Sequence, residues 1–247
     1  MAYEKTNAIT IRYADYSDTS RVLTFYTRRF GRVSALAKGA KRRYSRLIGH
    51  VDLLSFGEIV FISGRTRDRL HILTEACAFE TFPAIRKDLA RLYAACHAVQ
   101  LVNAMTAEDD PSPELFDRLL GLLRWLGQGI EPAAPLFAFE AHLLVLTGFM
   151  PELSSCVSCG KPNRQSTTAF SSALGGILCE RCSAGPTDVV PDVPSGALNL
   201  LERLARGKLT RLDRIRVAPQ VVASARTFLN HYETYILGRE LGTTKDL

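Results

Sequence analysis

An α+β fold is predicted by three features of the sequence. The first 80 or so residues carry about five short alternating or apolar runs separated by turn residues. From Pro83 onward the apolar residues recur at three- and four-residue steps, the period of helices. Two Cys-x-x-Cys pairs, separated by the nineteen residues Gly160 to Leu178, interrupt the helical part. Together they predict an N-terminal OB-like β barrel, then an α-helical bundle carrying a four-cysteine zinc-ribbon insertion. The divisions fall at 1–81 (barrel), 82–151 (first part of the helical body), 152–185 (ribbon) and 186–247 (second part).

The strands are expected at Ala8–Tyr13, Val22–Tyr26, Val33–Ala37, Ile59–Ile62 and Leu70–Phe79. Five strands with no helical period longer than two turns suit a small closed barrel, and the OB fold is the one that commonly takes single-stranded nucleic acid. An SH3-like barrel would give much the same string. A long helix is expected from Ala84 to Ala107, with Leu89, Leu92, Tyr93, Cys96, Val99 and Val102 on one face. Cys96 reads as a buried core thiol, and His97 as a residue without a chemical role. Glu108-Asp109-Asp110 reads as a solvated linker. Ser112 is placed to cap the next helix, with Pro113 at its first position and Gly127 at its end. A strongly apolar helix spans Ala133–Thr147, where Glu140 and His142 read as satisfied positions and not a metal pair. Helices over Gly196–Ala205, capped by Ser195, and Pro219–Leu237 complete the body.

Cys156, Cys159, Cys179 and Cys182 form the most specific signal in the chain. Each pair can make a knuckle that delivers two thiolates, and two knuckles close a tetrahedral site. Four sulfurs leave no open position for water, so one structural Zn²⁺ per chain is expected, although iron suits the same tetrahedron. A redox pair is the reading for a lone Cys-x-x-Cys, and two matched pairs count against it. A segment of this size has little core of its own, so the metal is expected to supply most of its folding free energy.

The charge is unevenly spread. Residues 1–80 hold 14 Lys and Arg against 8 Asp and Glu, a net +6 that equals the charge of the whole chain. Residues 81–150 carry −3. The excess is concentrated between Arg28 and Arg46, where eight cations stand in nineteen positions without an acidic residue. These are Arg28, Arg29, Arg32, Lys38, Lys41, Arg42, Arg43 and Arg46. Val33, Ala35 and Ala37 alternate between them, so a short strand is expected to deliver a mobile basic loop, Lys38 to Arg46. Such a loop suits a phosphate backbone, because each cation that meets a phosphate releases condensed counterions. Lys38, Lys41, Arg42, Arg43 and Arg46 are the principal candidates and Arg28, Arg29 and Arg32 come next. Tyr44 is a candidate platform for a stacked base, or an anchor in the barrel. A second cluster, Arg203, Arg206, Lys208, Arg211, Arg214 and Arg216, could hold a second strand or a partner protein, or be a solvated helix end.

In this order the pieces resemble the RecO family of bacterial recombination mediators. The segment Gly31–Arg42 is similar to the family's strand-and-basic-loop motif, continued by Ser45-Arg46-Leu47, Gly49 and Leu53–Phe56. Met150-Pro151-Glu152-Leu153 before the first cysteine pair, and Gly175-Gly176 before the second, are similar to the family's approach to its zinc site. The likeness covers most of the chain and is strongest at those two places. Some members lack the four cysteines, and this sequence resembles the zinc-bearing type. The resemblance implies a protein that binds single- and double-stranded DNA and anneals complementary strands. It further implies work with RecR and single-strand binding protein to help RecA load onto coated strands during repair.

Other classes fit less well. The N-terminus has neither the apolar core nor the cleavage site of a signal peptide, and no run reaches the roughly 18 apolar residues of a membrane helix. A cytoplasmic, nucleoid-associated protein without a membrane partner is therefore expected, with reduced thiols. An enzyme is not expected, because G-x-x-x-x-G-K-[ST], H-E-x-x-H and G-x-S-x-G are all missing. The competing reading is a zinc-ribbon RNA-binding or transcription accessory protein. The acidic, apolar helical body is where protein partners, including the tail of single-strand binding protein, are expected to dock.

Overall fold

The computed structural model describes residues 3–64, 70–163, 167–207 and 219–238. They form two compact units, the first ending at Pro132 and the second beginning at Ala133. The expected divisions run differently: the helices up to Gly127 group with the barrel, and only those from Ala133 on group with the ribbon.

In the first unit, β1 (Tyr3–Asp15), β2 (Arg21–Thr27), β3 (Gly31–Ala37), β4 (Phe56–Ile62) and β5 (His71–Glu80) close in the order β1-β2-β3-β5-β4. Strands β1 to β3 are an antiparallel meander, and β4 returns to lie beside β1, which is the Greek-key order. Strand β5 runs back along β4 and meets β3 in parallel, pairing Ala35 with His71 and Leu36 with Ile72. Strand β1 begins earlier than its apolar run suggests, because its polar first half pairs with β4 while its second half pairs with β2. A register shift between Thr10 and Arg12 lets this one strand turn the corner. Ala8, Leu23, Phe25, Val33, Ala35, Ile59, Phe61 and Leu73 fill the interior.

The long helix expected after Pro83 is two: α1 (Pro83–Arg86) and α2 (Leu89–Met105). Asp88 breaks it by capping α2, its carboxylate accepting the Arg91 N–H at 3.1 Å. The expected apolar face is only partly buried. Leu89 and Tyr93 are exposed, and the buried stretch starts at Ala94. Cys96 is buried, and burial pushes its thiol up to about 11. Helix α3 (Pro113–Gly127) begins as expected, with the Ser112 hydroxyl accepting from the Leu115 N–H.

Glu108-Asp109-Asp110 is not a free linker. Glu108 bridges to Gly31 and Arg32, its carboxylate accepts from the Ser34 hydroxyl, and the Asp109 N–H donates to the Arg32 carbonyl. Gly31 permits this approach: it has φ +64°, and a Cβ there would lie 2.3 Å from the Asp110 carbonyl oxygen.

The second unit holds α4 (Ala133–Leu146), β6 (Thr167–Ser171), β7 (Gly176–Leu178), β8 (Val189–Pro194), α5 (Ser195–Arg206) and α6 (Pro219–Leu237). Helix α4 is buried nearly all round, and its Glu140 is held by Arg226 of α6. The ring nitrogens of His142 face the Ala138 and Gly207 carbonyls. Ser195 does not cap α5. Pro194 occupies the cap position without a side-chain hydrogen bond, and Ser195 is the first helical residue.

Sheet β7-β6-β8 reaches beyond the expected ribbon boundary at residue 185, because β8 pairs with β6. The sheet also has an apolar anchor: Phe170 of β6 meets Phe228 and Tyr232 of α6 edge-on, with centroids 4.5 and 5.3 Å apart. The ribbon therefore draws on burial as well as on any metal, through a core larger than the little one expected of it. Among the described residues, no helix is long and apolar enough to cross a membrane.

Candidate nucleic-acid interface and metal centre

The basic segment follows Ala37 at one end of the barrel. Where a mobile loop is expected it is a succession of turns. Arg42, Ser45, Ile48 and His50 donate their N–H groups to the carbonyls of Gly39, Arg42, Ser45 and Leu47. Leu47 and Val51 enter the barrel core, which ties the segment down at its far side. The near side is tied to the β1–β2 loop, where the Lys41 N–H donates to the Thr19 carbonyl and the Gly39 N–H to the Ser20 hydroxyl.

The eight cations expected as phosphate contacts divide into two groups on this scaffold. Lys38, Arg42, Arg43 and Arg46 are exposed and have no ion-pair partner among the described residues. Arg43 lies over the ring of Tyr44, its guanidinium carbon 5.7 Å from the centroid.

The other four have internal partners. Lys41 pairs with Asp15 at 2.9 Å and Arg28 pairs with Asp117 at 3.0 Å. Arg29 donates to the Lys5 carbonyl and lies over Phe30. Arg32 points inward, donating to the Asn103 carbonyl with its Nε buried, so it is not a surface cation. Strand alternation accounts for Arg32. It pairs with Tyr26 across the β2–β3 ladder, on the face opposite the core residue Val33, and α2 covers that face through Asn103. Tyr44 is 88 % exposed, which excludes the role of barrel anchor.

Of the second basic cluster, Arg206 pairs with Glu202 in its own helix, while Lys208, Arg211, Arg214 and Arg216 lie outside the described residues.

The carboxylate that organises the barrel end was not visible as such in the sequence. Asp15 accepts from both Arg21 (2.8 Å) and Lys41 (2.9 Å). Hydrogen bonds from Lys41 and then Arg21 hold its carboxyl below the usual range. Its partners stand six and twenty-six residues away, so only the fold brings them together.

The four cysteines converge as their spacing predicts. Their sulfurs all lie within 4.8 Å of one another, with Cys159 and Cys179 at 3.6 Å. A zinc ion bound at about 2.3 Å to four sulfurs would place them about 3.8 Å apart, so the donor set fits a tetrahedral ion. Two turns hold them. In the first, the Gly160 N–H donates to the Cys156 carbonyl and the Cys156 N–H to the Lys161 carbonyl, both at 2.8 Å, with Gly160 at φ +71°. In the second, the Cys182 and Ser183 N–H groups share the Cys179 carbonyl.

Burial pushes the Cys156 thiol up, but backbone donors at Cys179, Cys159 and Ser158 outweigh it and hold the thiol at about 6. Those donors favour the thiolate, which is the ligating form. Gly176 joins the turns. The Glu152 carbonyl accepts from Ile177, Val157 donates back to the Ile177 carbonyl, and a Cβ on Gly176 would meet Val157 at 2.3 Å. The Glu152 carboxylate caps the approach by accepting from the N–H groups of Ser154 and Ser155.

Two family models match the chain, one described as the recombination protein O N terminal over residues 1–82 and the other as its C terminal over residues 86–245. Similar proteins include the DNA repair protein RecO of Roseiflexus sp. (strain RS-1), 34 % identical over 96 % of this chain and 82 % of that protein. The DNA repair protein RecO of Syntrophus aciditrophicus is 32 % identical over 100 % of this chain and 95 % of its own. That of Desulforamulus reducens is 31 % identical over 99 % and 94 %. With both halves matched in order and relatives aligned along nearly the whole length, the chain belongs to the recombination protein O (RecO) family.

Proposed function

We propose that this chain is a DNA repair and recombination mediator that acts by binding and not by bond chemistry. On this reading it holds single- and double-stranded DNA and anneals complementary strands. With RecR it then helps load RecA onto strands coated by single-strand binding protein. It works in the cytoplasm, on the nucleoid. Family membership supports the repair role; the competing reading is a zinc-ribbon RNA-binding or transcription accessory protein.

The observation that carries the proposal is the group Lys38, Arg42, Arg43 and Arg46, displayed on turns at one barrel end and free of carboxylates among the described residues. Two strands brought together repel through their phosphates, and such a surface lowers that cost while giving up counterions. We take the barrel as OB type, because a five-stranded Greek-key barrel with a nucleic-acid face fits that description. The four cysteines hold one structural Zn²⁺, which fixes the two turns of the ribbon and supplies no open coordination position.

The test is annealing of complementary oligonucleotides, bare and coated with single-strand binding protein, without nucleotide. Accelerated annealing in both cases is the expected result. A requirement for ATP, or no acceleration on either substrate, would refute the binding-only mechanism.

A further inference from the structure

We infer that Tyr13 and Tyr16 form, with Tyr44, a base-stacking platform at the mouth of the barrel, and that this platform makes the basic end a site for single-stranded DNA in particular. The inference rests on the DNA-binding reading above and deepens it. Free cations alone grip any phosphate chain, single or double. A group that meets the exposed face of a base tells an open strand from a duplex.

The register of the barrel puts the tyrosines there. Residues directly paired across two strands share a face. Tyr13 pairs with Leu23, which lies in the core, and Arg21 pairs with Ala37, also in the core, as well as with Asp15 of β1. Tyr13, Asp15 and Arg21 thus occupy the inward-facing positions of strands that run past the core. Beyond the last core layer such positions open at the barrel end, not into its interior.

Their exposure agrees with this: Tyr13 is 39 % exposed, and Tyr16 in the loop after β1 is 64 % exposed. These aromatic rings do not contribute to the apolar core, and the basic segment leaves the barrel at the same end, directly after Ala37.

Polar links make the loops one surface. Asp15 holds Arg21 and Lys41 together, and the Lys41 ammonium also donates to the Ser17 carbonyl at 3.4 Å. The Lys41 N–H to the Thr19 carbonyl, at 3.0 Å, fixes the backbones. Lys41 is therefore a positioning residue that ties the tyrosine loop to the basic turns. Arg21 lies over the Tyr13 ring with its guanidinium carbon 4.9 Å from the centroid, which sets that ring's orientation.

The experiment compares three fluorescent probes at one salt concentration: a short oligothymidylate, an abasic strand of equal length, and a duplex. The wild type is expected to hold the thymidylate at least about tenfold more tightly than the abasic strand, in keeping with stacking on aromatic side chains. Y13A/Y16A should lose that preference, with its abasic and duplex binding and its salt slope unchanged. Y13F/Y16F should keep it, because the ring and not the hydroxyl stacks.

A wild type that binds abasic and thymidylate strands equally overturns the platform, as does a double alanine variant that retains the preference. An equal loss on duplex makes the tyrosines structural and also overturns it. Should Y13A disturb the barrel, Y16A alone, in the exposed loop, is expected to lose part of the preference. A wild type that binds none of the probes, even at low salt, refutes the DNA-binding reading itself and is thereby told apart.

Discussion

Replacing Arg42, Arg43 and Arg46 together with Ala removes three of the four basic-segment cations that are free of ion pairs among the described residues, and leaves the pairs of Asp15 and Arg28 intact. For single strands the slope of log affinity against log salt is about −0.7 for each phosphate neutralised. Three lost contacts should therefore flatten the slope by about 2. At 0.1 M salt, counterion release from three contacts amounts to a factor on the order of 100 in affinity. Arg28→Ala is the control. Arg28 already faces Asp117, so its removal should change the slope by well under one contact's worth. All four residues are exposed, and their substitution should leave stability within about 0.5 kcal/mol of the wild type. Fluorescence anisotropy on an oligothymidylate across a salt series measures the slope directly. An unchanged slope in the triple variant would sink the assignment. So would an Arg28→Ala slope as flat as the triple variant's, because partnered and free cations would then be equivalent.

Three further outcomes are expected. Replacing Cys179 and Cys182 with Ser should take the bound metal from one ion per chain to none by elemental analysis and lower the melting temperature; one zinc remaining would rule out the four-sulfur site. Gly31→Ala places a Cβ 2.3 Å from a backbone oxygen at φ +64°, so denaturant titration should show a loss of at least about 2 kcal/mol, and a loss below about 0.5 kcal/mol would show that the Asp110 segment does not press on β3. Arg226→Met removes the guanidinium that pairs with the buried Glu140 carboxylate and should cost about 3–5 kcal/mol, while adding Glu140→Leu should recover most of it. A single variant as stable as the wild type would mean that the pair is not closed in solution.

Local signals in the sequence were reliable where a residue's neighbours in the chain decide its structure. Ser112 and Pro113 start a helix through their own side chains and backbone angles, and they do so here. The cysteine pairs converge because each knuckle is a turn of a few residues, and two such turns need only one meeting. Sequence reading failed where a distant group decides. Arg32 belongs to a basic run, but the strand's alternation turns it toward Asn103, seventy-one positions along. Lys41 has Asp15 as its partner through the closure of the barrel, twenty-six positions back. Strand β8 was hidden because Pro191 and Pro194 interrupt the valines of Val189–Pro194, and it becomes a strand by pairing with β6. Helix α1 was merged with α2 because Asp88 sits within an apolar period that continues on both sides of it.

The division of the eight cations bears on how such a site would work. If all eight gripped phosphates, the salt dependence of single-strand binding would approach a slope of about −6, and release would be correspondingly slow. With only the four that are free among the described residues it is nearer −3. An annealing factor must let go of its product, because the paired strands no longer need screening from each other. A modest electrostatic grip therefore suits turnover better than a maximal one. The partnered cations are still useful: Lys41 and Arg21 are held by Asp15, and that arrangement fixes the spacing between the basic turns and the β1–β2 loop. Replacing Asp15 with Ala should thus leave the count of cations unchanged and add two free ones. If charge alone governs, binding tightens and the slope steepens. If the geometry of the two loops governs, the preference for thymidylate over an abasic strand falls although the net charge has risen. The structure favours the second outcome, because Asp15 is the acceptor that Arg21 and Lys41 share.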